Sequence, residues 1–142
     1  MHGFNSVWYF AQMRSLVCLI AALAISFSTT SRASGVICSI TSPVMNGELL
    51  SPVEITFDAS GAAVSASVLF EYTTGGPMMA ATAHMDSVLS NPDTVNLPAS
   101  GVVFTWDASA DVAPSTLANF QITIDDGGAP SNCSVSNITV PV

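Results

Sequence analysis

Residues Ala66–Tyr72, with the sequence ASVLFEY, decide the fold class of this chain. Every second side chain from Ala66 to Tyr72 is apolar or aromatic, and Ser67 and Glu71 lie between them. A period of two places one face of a segment against a core and the other towards solvent, which is typical of a half-buried β-strand. A Gly-Gly-Pro turn at 75–77 follows it. The stretch therefore predicts one strand of a layered all-β domain.

Further stretches alternate in the same way, and turn-forming residues separate them. They are Val36–Ile40, Val53–Asp58, Val102–Trp106, Phe120–Ile124 and Cys133–Val140. Roughly six or seven short strands joined by frequent turns are the pattern of a β-sandwich. Residues 34–142 are therefore predicted to form a single antiparallel sandwich domain.

Two regions do not alternate clearly. In Pro77–Leu97 the sequence predicts an edge strand near Met79–Ala83 together with a loop. Between Ser109 and Leu117 it predicts a helical turn.

The N-terminal region has the features of a secretory leader. An apolar run of 12 residues, Leu16–Phe27, follows the basic Arg14. A membrane-spanning helix needs about 20 apolar residues, so this run is too short for a good anchor. The pattern predicts a signal peptide over residues 1–33, cleaved after Ala33. An uncleaved N-terminal anchor is the alternative, and Met13 offers an alternative start.

Two cysteines remain once the leader is removed, Cys38 and Cys133. An even pair in an exported domain predicts a disulfide that joins the first strand to the last. Closing a loop of roughly 100 residues stabilises a fold by about 4–5 kcal/mol in the chain-entropy model. The alternative is a pair of buried free thiols.

Basic and acidic residues occupy different parts of the sequence. Both basic residues of the chain, Arg14 and Arg32, lie in or beside the leader, whereas all 10 acidic residues follow it. Nucleic-acid binding is excluded on this basis, because phosphate contacts need Lys or Arg. Electrostatic docking on anionic membranes is excluded for the same reason.

Three stretches carry a resemblance to a known family. The first, Val68–Gly76, resembles the "V-x-V-E-Y-S-x-D-G-G" hairpin of immunoglobulin-like or fibronectin type III-like modules in bacterial secreted and surface proteins. Gly101–Asp111 resembles the "F-x-W-D-S-x-x-D" element that follows it there, and Phe120–Gly127 resembles the next strand and its acidic turn. The resemblance implies an immunoglobulin-like or fibronectin III-like antiparallel β-sandwich. It also implies a non-catalytic structural, adhesive or binding module.

Carboxylates near two turns suggest a calcium site. Asp107 and Asp111 flank a short turn, and Asp125 and Asp126 end a predicted strand. Calcium binds clustered carboxylate and carbonyl oxygens in loops, so these four residues are candidate ligands. The alternative is that the first pair caps the turn by accepting backbone N–H bonds and that the second pair forms a turn.

A second, weaker metal hypothesis concerns copper. Met78, His84 and Met85 lie close together in the sequence, and thioether and imidazole groups are copper ligands. The alternative is that the methionines fill gaps or form an apolar patch.

The sequence after the leader contains few residues of the types that catalysis uses. His84 is the only histidine after the leader, and no G-x-S-x-G sequence marks a nucleophile. We therefore predict no catalytic residues and no cofactor other than calcium.

The favoured function is a secreted binding or structural module with an unidentified protein or glycan partner and no stable membrane insertion after cleavage. It would act through strand edges and loops, chiefly Pro77–Leu97 and the turns near Asp107 and Asp111. An exported metal-binding carrier or sensor is the alternative from a different class.

Overall fold

The computed structural model describes residues 35–43, 47–48 and 50–140. They belong to one compact unit, Arg32–Val142. The predicted signal peptide, residues 1–33, and the alternative start at Met13 lie outside the described residues. In the described part, no helix is long and apolar enough to cross a membrane.

Nearly all regular structure in the described residues is β-strand. The strands and the single short helix are β1 (Ile37–Ser42), β2 (Gly47–Glu48), β3 (Val53–Ser60), β4 (Ser65–Thr73), β5 (Met79–Ala80), β6 (Asp93–Asn96), β7 (Ala99–Trp106), α1 (Ala108–Asp111), β8 (Leu117–Asp125) and β9 (Ser131–Thr139). The predicted all-β class is confirmed.

Two sheets pack face to face. One has three antiparallel strands in the order β1-β3-β7, and the other has the order β2-β9-β8-β4-β5, with β6 also paired to β4. The second sheet is antiparallel except for the short β2–β9 pair, which is parallel. The predicted antiparallel β-sandwich is confirmed.

The core lies between the sheets and follows the alternation in the sequence. Inward side chains of β3, β4 and β8 are buried at every second position. Phe70 of one sheet stacks on Phe104 of the other, with ring centroids 3.9 Å apart and planes 7° apart. Trp106 contacts Phe120 and Tyr72 across the same interface. Burying an aromatic side chain of this size contributes about 1.5–3 kcal/mol, so these rings account for much of the adhesion between the sheets.

A disulfide joins Cys38 of β1 to Cys133 of β9, which confirms the predicted pairing. Their Cα atoms are 5.7 Å apart, and 95 positions separate them in the sequence. The bond therefore connects the outer strand β1 of one sheet to β9 of the other sheet.

The sandwich has two ends, which we name by what lies there. The turn end carries the β8–β9 turn at Asp125–Gly128, and Gly35, just before β1, pairs with Ala129 there. The helix end carries α1 and the last residue of β7, Trp106. β8 runs from the helix end to the turn end, and β9 returns to the helix end.

The structure differs from the predictions in the region without clear alternation. The predicted edge strand near Met79–Ala83 is shorter, covering only β5 (Met79–Ala80), whereas β6 (Asp93–Asn96) lies in what was predicted as loop. β6 contains one buried apolar residue, Val95, so its sequence alone carries no periodic signal. The predicted helical turn is present as α1.

Candidate functional site

The segment Pro77–Leu97, which we name the crossing segment, passes from one sheet to the other and back. It starts along β4, where the N–H of Ala81 donates to the carbonyl of Phe70 at 2.9 Å. It then reaches the edge of β7, where the N–H of His84 donates to the carbonyl of Thr105 at 2.9 Å. It returns to β4 as β6. The crossing segment is therefore attached to both sheets by backbone hydrogen bonds.

Asn91 holds the return of the crossing segment against β4. Its Oδ1 accepts from the N–H of Phe70 at 3.0 Å, and its Nδ2 donates to the carbonyls of Phe70 and Ala81, both at 2.7 Å. A side-chain amide carries the same donor and acceptor as a peptide group. Asn91 thus takes the place of a strand residue between β5 and β6. Sequence reasoning missed this role, since Asn-Pro-Asp at 91–93 indicates only a turn.

The turn around Asn91 is itself fixed by Asp93. The carboxylate of Asp93 accepts from the N–H groups of Thr94 and Ser90, each at 2.7 Å. These backbone donors, Thr94 first, hold the pKa of Asp93 below its ordinary value. The crossing segment is therefore an ordered part of the fold on this side.

Asp111 organises the helix end. Its carboxylate accepts from the indole N–H of Trp106 at 2.7 Å and from the N–H and hydroxyl of Thr82 at 2.7 and 2.6 Å. The hydroxyl of Tyr72 donates to the carbonyl of the same residue at 3.1 Å. Asp111 thereby connects α1 to β4, β7 and the crossing segment.

Two features of the surroundings shift the pKa of Tyr72, namely its burial and the carboxylate of Asp111. Burial, and secondly the negative charge of Asp111, raise the pKa of the Tyr72 phenol above its ordinary value of 10.0. The phenol therefore stays protonated and able to donate throughout the neutral range.

The crossing segment exposes large apolar side chains although its backbone is held in place. Met78 and Met79 are 37% and 41% exposed, and Met85 and Val88 are 90% and 93% exposed. These four residues, which we name the exposed apolar set, are among nine exposed large hydrophobic residues in the described part of the chain. Methionine adapts its shape to irregular partners, so exposed methionines on an ordered segment are candidate contact residues for a partner.

The structure separates the four predicted calcium ligands into two pairs. Asp107 and Asp111 lie at the helix end, and Asp125 and Asp126 lie at the turn end, at the opposite end of β8. An extended strand of this length spans about 30 Å, so no single ion contacts both pairs.

Each pair has hydrogen bonds within the chain. Asp107 is the N-cap of α1 and accepts from Ala110 N at 3.3 Å, which confirms the capping alternative for that residue. Asp125 and Asp126 accept from the N–H groups of Gly127 and Gly128, at 2.8 and 3.3 Å, as turn formers do. Across the described residues, no three His, Cys, Asp or Glu side chains converge as a metal site. Calcium binding stays an alternative hypothesis.

The predicted copper ligands lie along the crossing segment. Met78 precedes β5 on the edge of the larger sheet, whereas His84 is bonded to β7 of the smaller sheet and Met85 points into solvent. The Nδ1 atom of His84 accepts from the N–H of Asp86 at 3.2 Å and lies 3.5 Å from its carboxylate. Copper binding also stays a prediction.

A small depression of about 190 Å³ lies on the three-stranded sheet at the turn end. Its lining residues are Ile37, Cys38, Ser39, Asp58, Ala59, Ser60, Pro98, Ala99 and Ser100. The Oδ1 atom of Asp58 accepts from the N–H of Gly101 at 2.7 Å, and Cys38 is in the disulfide. The depression therefore offers one carboxylate and several hydroxyls but no paired acid and base.

Comparison with protein-family models, curated protein sequences and solved structures finds no match for this chain. Its function is therefore inferred from the geometry of the crossing segment and of the two ends of the sandwich.

Proposed function

We propose that this chain is a secreted, non-catalytic module of the immunoglobulin-like or fibronectin III-like type that binds a protein partner through the crossing segment. The observation that carries the proposal is the exposed apolar set, presented on a segment whose backbone is bonded to both sheets. A surface that is both apolar and ordered loses little conformational entropy when a partner binds.

The strand order supports the type of module. In the constant-type immunoglobulin sandwich, strands A, B, E and D form one sheet and strands C, F and G form the other. With β2 set aside and β5 and β6 counted together as the fourth strand, β1, β3 and β7 correspond to A, B and E, and β4, β8 and β9 correspond to C, F and G. The fourth strand differs, because β5 and β6 pair with β4.

Export is supported by two independent features. The leader-like residues 1–33 precede the domain in the sequence, and the Cys38–Cys133 bond joins the first strand of one sheet to the last strand of the other. Disulfides of this structural kind persist in oxidising compartments and are rare in the cytosol.

A non-catalytic role is supported by the surroundings of His84. Its Nδ1 atom accepts from the backbone of Asp86, and no Lys or Arg follows the leader to serve as an anion clamp. Nucleophilic catalysis by histidine and a hydroxyl needs the two groups within hydrogen-bond reach, and the described contacts of His84 include no hydroxyl.

The partner's chemistry follows from charge. The chain after the leader carries all 10 carboxylates and no Lys or Arg, so its surface potential is negative. Complementary electrostatic potentials on two protein surfaces speed their diffusional encounter and disfavour partners of like charge. The proposed partner is therefore a protein surface with an apolar centre, which covers the exposed apolar set, and a rim of Lys and Arg.

Position-specific photo-crosslinking tests this proposal. A photoreactive residue is placed at Met85 or Val88 of the full chain, which is then produced in its source organism. The matched controls carry it at Val64 or Leu117, which are also exposed apolar positions but lie outside the crossing segment. We expect one discrete protein adduct from the first two positions and none from the controls.

The recovered partner is then purified and titrated. We expect Met85→Ser combined with Val88→Ser to weaken its binding at least tenfold, whereas Val64→Ser leaves the Kd unchanged. Identical adducts from all four positions, the absence of any adduct, or equal loss of affinity in both variants contradicts the proposal.

A further inference from the structure

The first and last strands run in the same direction. β1 begins at the turn end, because Ile37 pairs with Ser60 at the close of β3. β9 also begins there, and it finishes at the helix end, where Thr139 pairs with Leu117 at the start of β8. The polypeptide chain therefore enters the sandwich at its turn end, where β1 begins, and leaves it at its helix end, where β9 finishes.

The disulfide lies where the chain enters. Cys38 is the second residue of β1, and Cys133 is the third residue of β9. A covalent path thus leads from the start of β1 across the S–S bond and along β9 to the opposite end of the sandwich. The residues between the two cysteines, which include β2 to β8 and α1, lie outside this path.

We propose that the domain is a load-bearing link that withstands tension between its two ends without lengthening. Force applied at the ends passes through the S–S bond into β9. Most of that strand from Cys133 to Thr139 has an extended backbone, with about 3.3 Å per residue, close to the maximum reach of a chain. The exception is a bulge at Asn137, whose φ is 60°. Even complete detachment of β9 adds little more length than this bulge holds, because the loop between the cysteines stays closed.

Detachment of β9 is also opposed by its neighbours. Tension along the strand axis shears the β8–β9 hydrogen bonds together, from Ile122↔Cys133 to Leu117↔Thr139, and it loads the β2–β9 pair as well. The inward residues Val135, Ile138 and Val140 are each at most 5% exposed, so detachment also exposes apolar surface to water.

This inference goes beyond the proposed function and does not rest on it, because the crossing segment lies between the two cysteines, outside the loaded path. A link that cannot lengthen transmits at once any tension applied at its two ends. The property itself belongs to the topology and does not require the partner to be known.

Single-molecule force spectroscopy tests it. The full chain is tethered through an azide-bearing residue at position 34 and through a C-terminal tag, so that residues 1–33 lie outside the loaded path. With the disulfide intact, we expect no step longer than about 3 nm, the reach of the few residues after Cys133. After a reducing agent is added, we expect one step of about 32 nm, because the 95 positions between the cysteines become free to extend.

A double variant, Cys38→Ser with Cys133→Ser, serves as the control that extends by the same amount with or without reductant. If that variant does not fold, reduction of the wild-type chain under load makes the same comparison. A step near 32 nm in the oxidised wild-type chain, or no long step after its reduction, overturns the inference. The crosslinking result is independent of this outcome, so failure of one proposal is distinguishable from failure of the other.

Discussion

Trp106, the last residue of β7, donates its indole N–H to the carboxylate of Asp111, the last residue of α1, at 2.7 Å. Trp106 is fully buried, so this bond gives its indole N–H a hydrogen-bond acceptor that the apolar core does not offer. The same carboxylate receives both donors of Thr82. One acidic side chain therefore joins the core, the short helix and the crossing segment.

Removing that carboxylate should destabilise the domain strongly. We expect Asp111→Ala to lower the free energy of unfolding by about 2–4 kcal/mol, because a buried indole N–H loses its acceptor and Thr82 loses two bonds. Urea unfolding followed by Trp106 fluorescence measures this. Asp125→Ala removes the same charge from a turn with one exposed backbone partner and should cost much less. Equal losses in the two variants would show that charge, not the hydrogen bonds, is what matters.

Asn91 offers a test that keeps side-chain shape constant. In Asn91→Asp an oxygen replaces the Nδ2 atom that donates to the carbonyls of Phe70 and Ala81. We expect a loss of about 2–3 kcal/mol in unfolding free energy. The new carboxylate oxygen cannot donate, so it and the carbonyl oxygens of Phe70 and Ala81 repel each other. Asn132→Asp adds the same charge at an exposed position of β9 and is the matched control. Circular dichroism during urea titration gives both values, and a neutral effect at position 91 would contradict the assigned role.

Alkaline titration should reveal the buried phenol. The folded-state pKa of Tyr72 lies above its ordinary value of 10.0, chiefly through burial. The unfolded chain therefore loses this proton first as the pH rises, and stability that is complete below pH 10 declines above it. Unfolding free energies measured between pH 8 and 11 should show this decline, and Tyr72→Phe should remove that part of it. An identical decline in the variant would assign the effect to other groups.

Salt should stabilise the domain. All 10 carboxylates follow the leader without a Lys or Arg to pair with them, so screening relieves their mutual repulsion. We expect the Tm of the domain to rise as NaCl increases from low to moderate concentration, as measured by scanning calorimetry. A Tm that stays flat or falls would contradict this expectation.

Calcium titration distinguishes screening from a specific site. The two predicted carboxylate pairs lie at opposite ends of β8 and accept backbone N–H bonds, so we expect CaCl₂ to raise the Tm no more than MgCl₂ of equal ionic strength. Isothermal calorimetry provides a second readout. A saturable heat that disappears in Asp107→Asn or Asp125→Asn would instead establish the carrier or sensor function.

Several features of the site were predictable because they depend on local pattern. The alternation from Ala66 to Tyr72 specifies which face of β4 is buried, whatever the partner strands are. The pairing of Cys38 with Cys133 followed from there being two cysteines after the leader. The helix cap at Asp107, the alternative to a calcium site, is confirmed by the structure.

Other features could not be predicted because their partners are distant in the sequence. The acceptor role of Asp111 requires Thr82, 29 positions away, to be brought to the same end of the sandwich. Asn91 becomes a substitute for strand backbone only because β4 passes beside it, 21 positions from Phe70. Exposure of Met85 and Val88 likewise depends on where the crossing segment lies against the two sheets.

The sequence by itself determined the all-β class, the buried face of each main strand, the disulfide and the uniformly acidic character of the domain. Side-chain period, cysteine number and charge are properties of the chain that do not depend on its neighbours in space. Only the tertiary structure decided that β1 and β9 run in parallel, that four carboxylates separate into two distant pairs, and that one segment presents an apolar surface. Those outcomes come from long-range strand pairing and sheet packing, in which each side chain's role is set by residues that the local sequence does not contain.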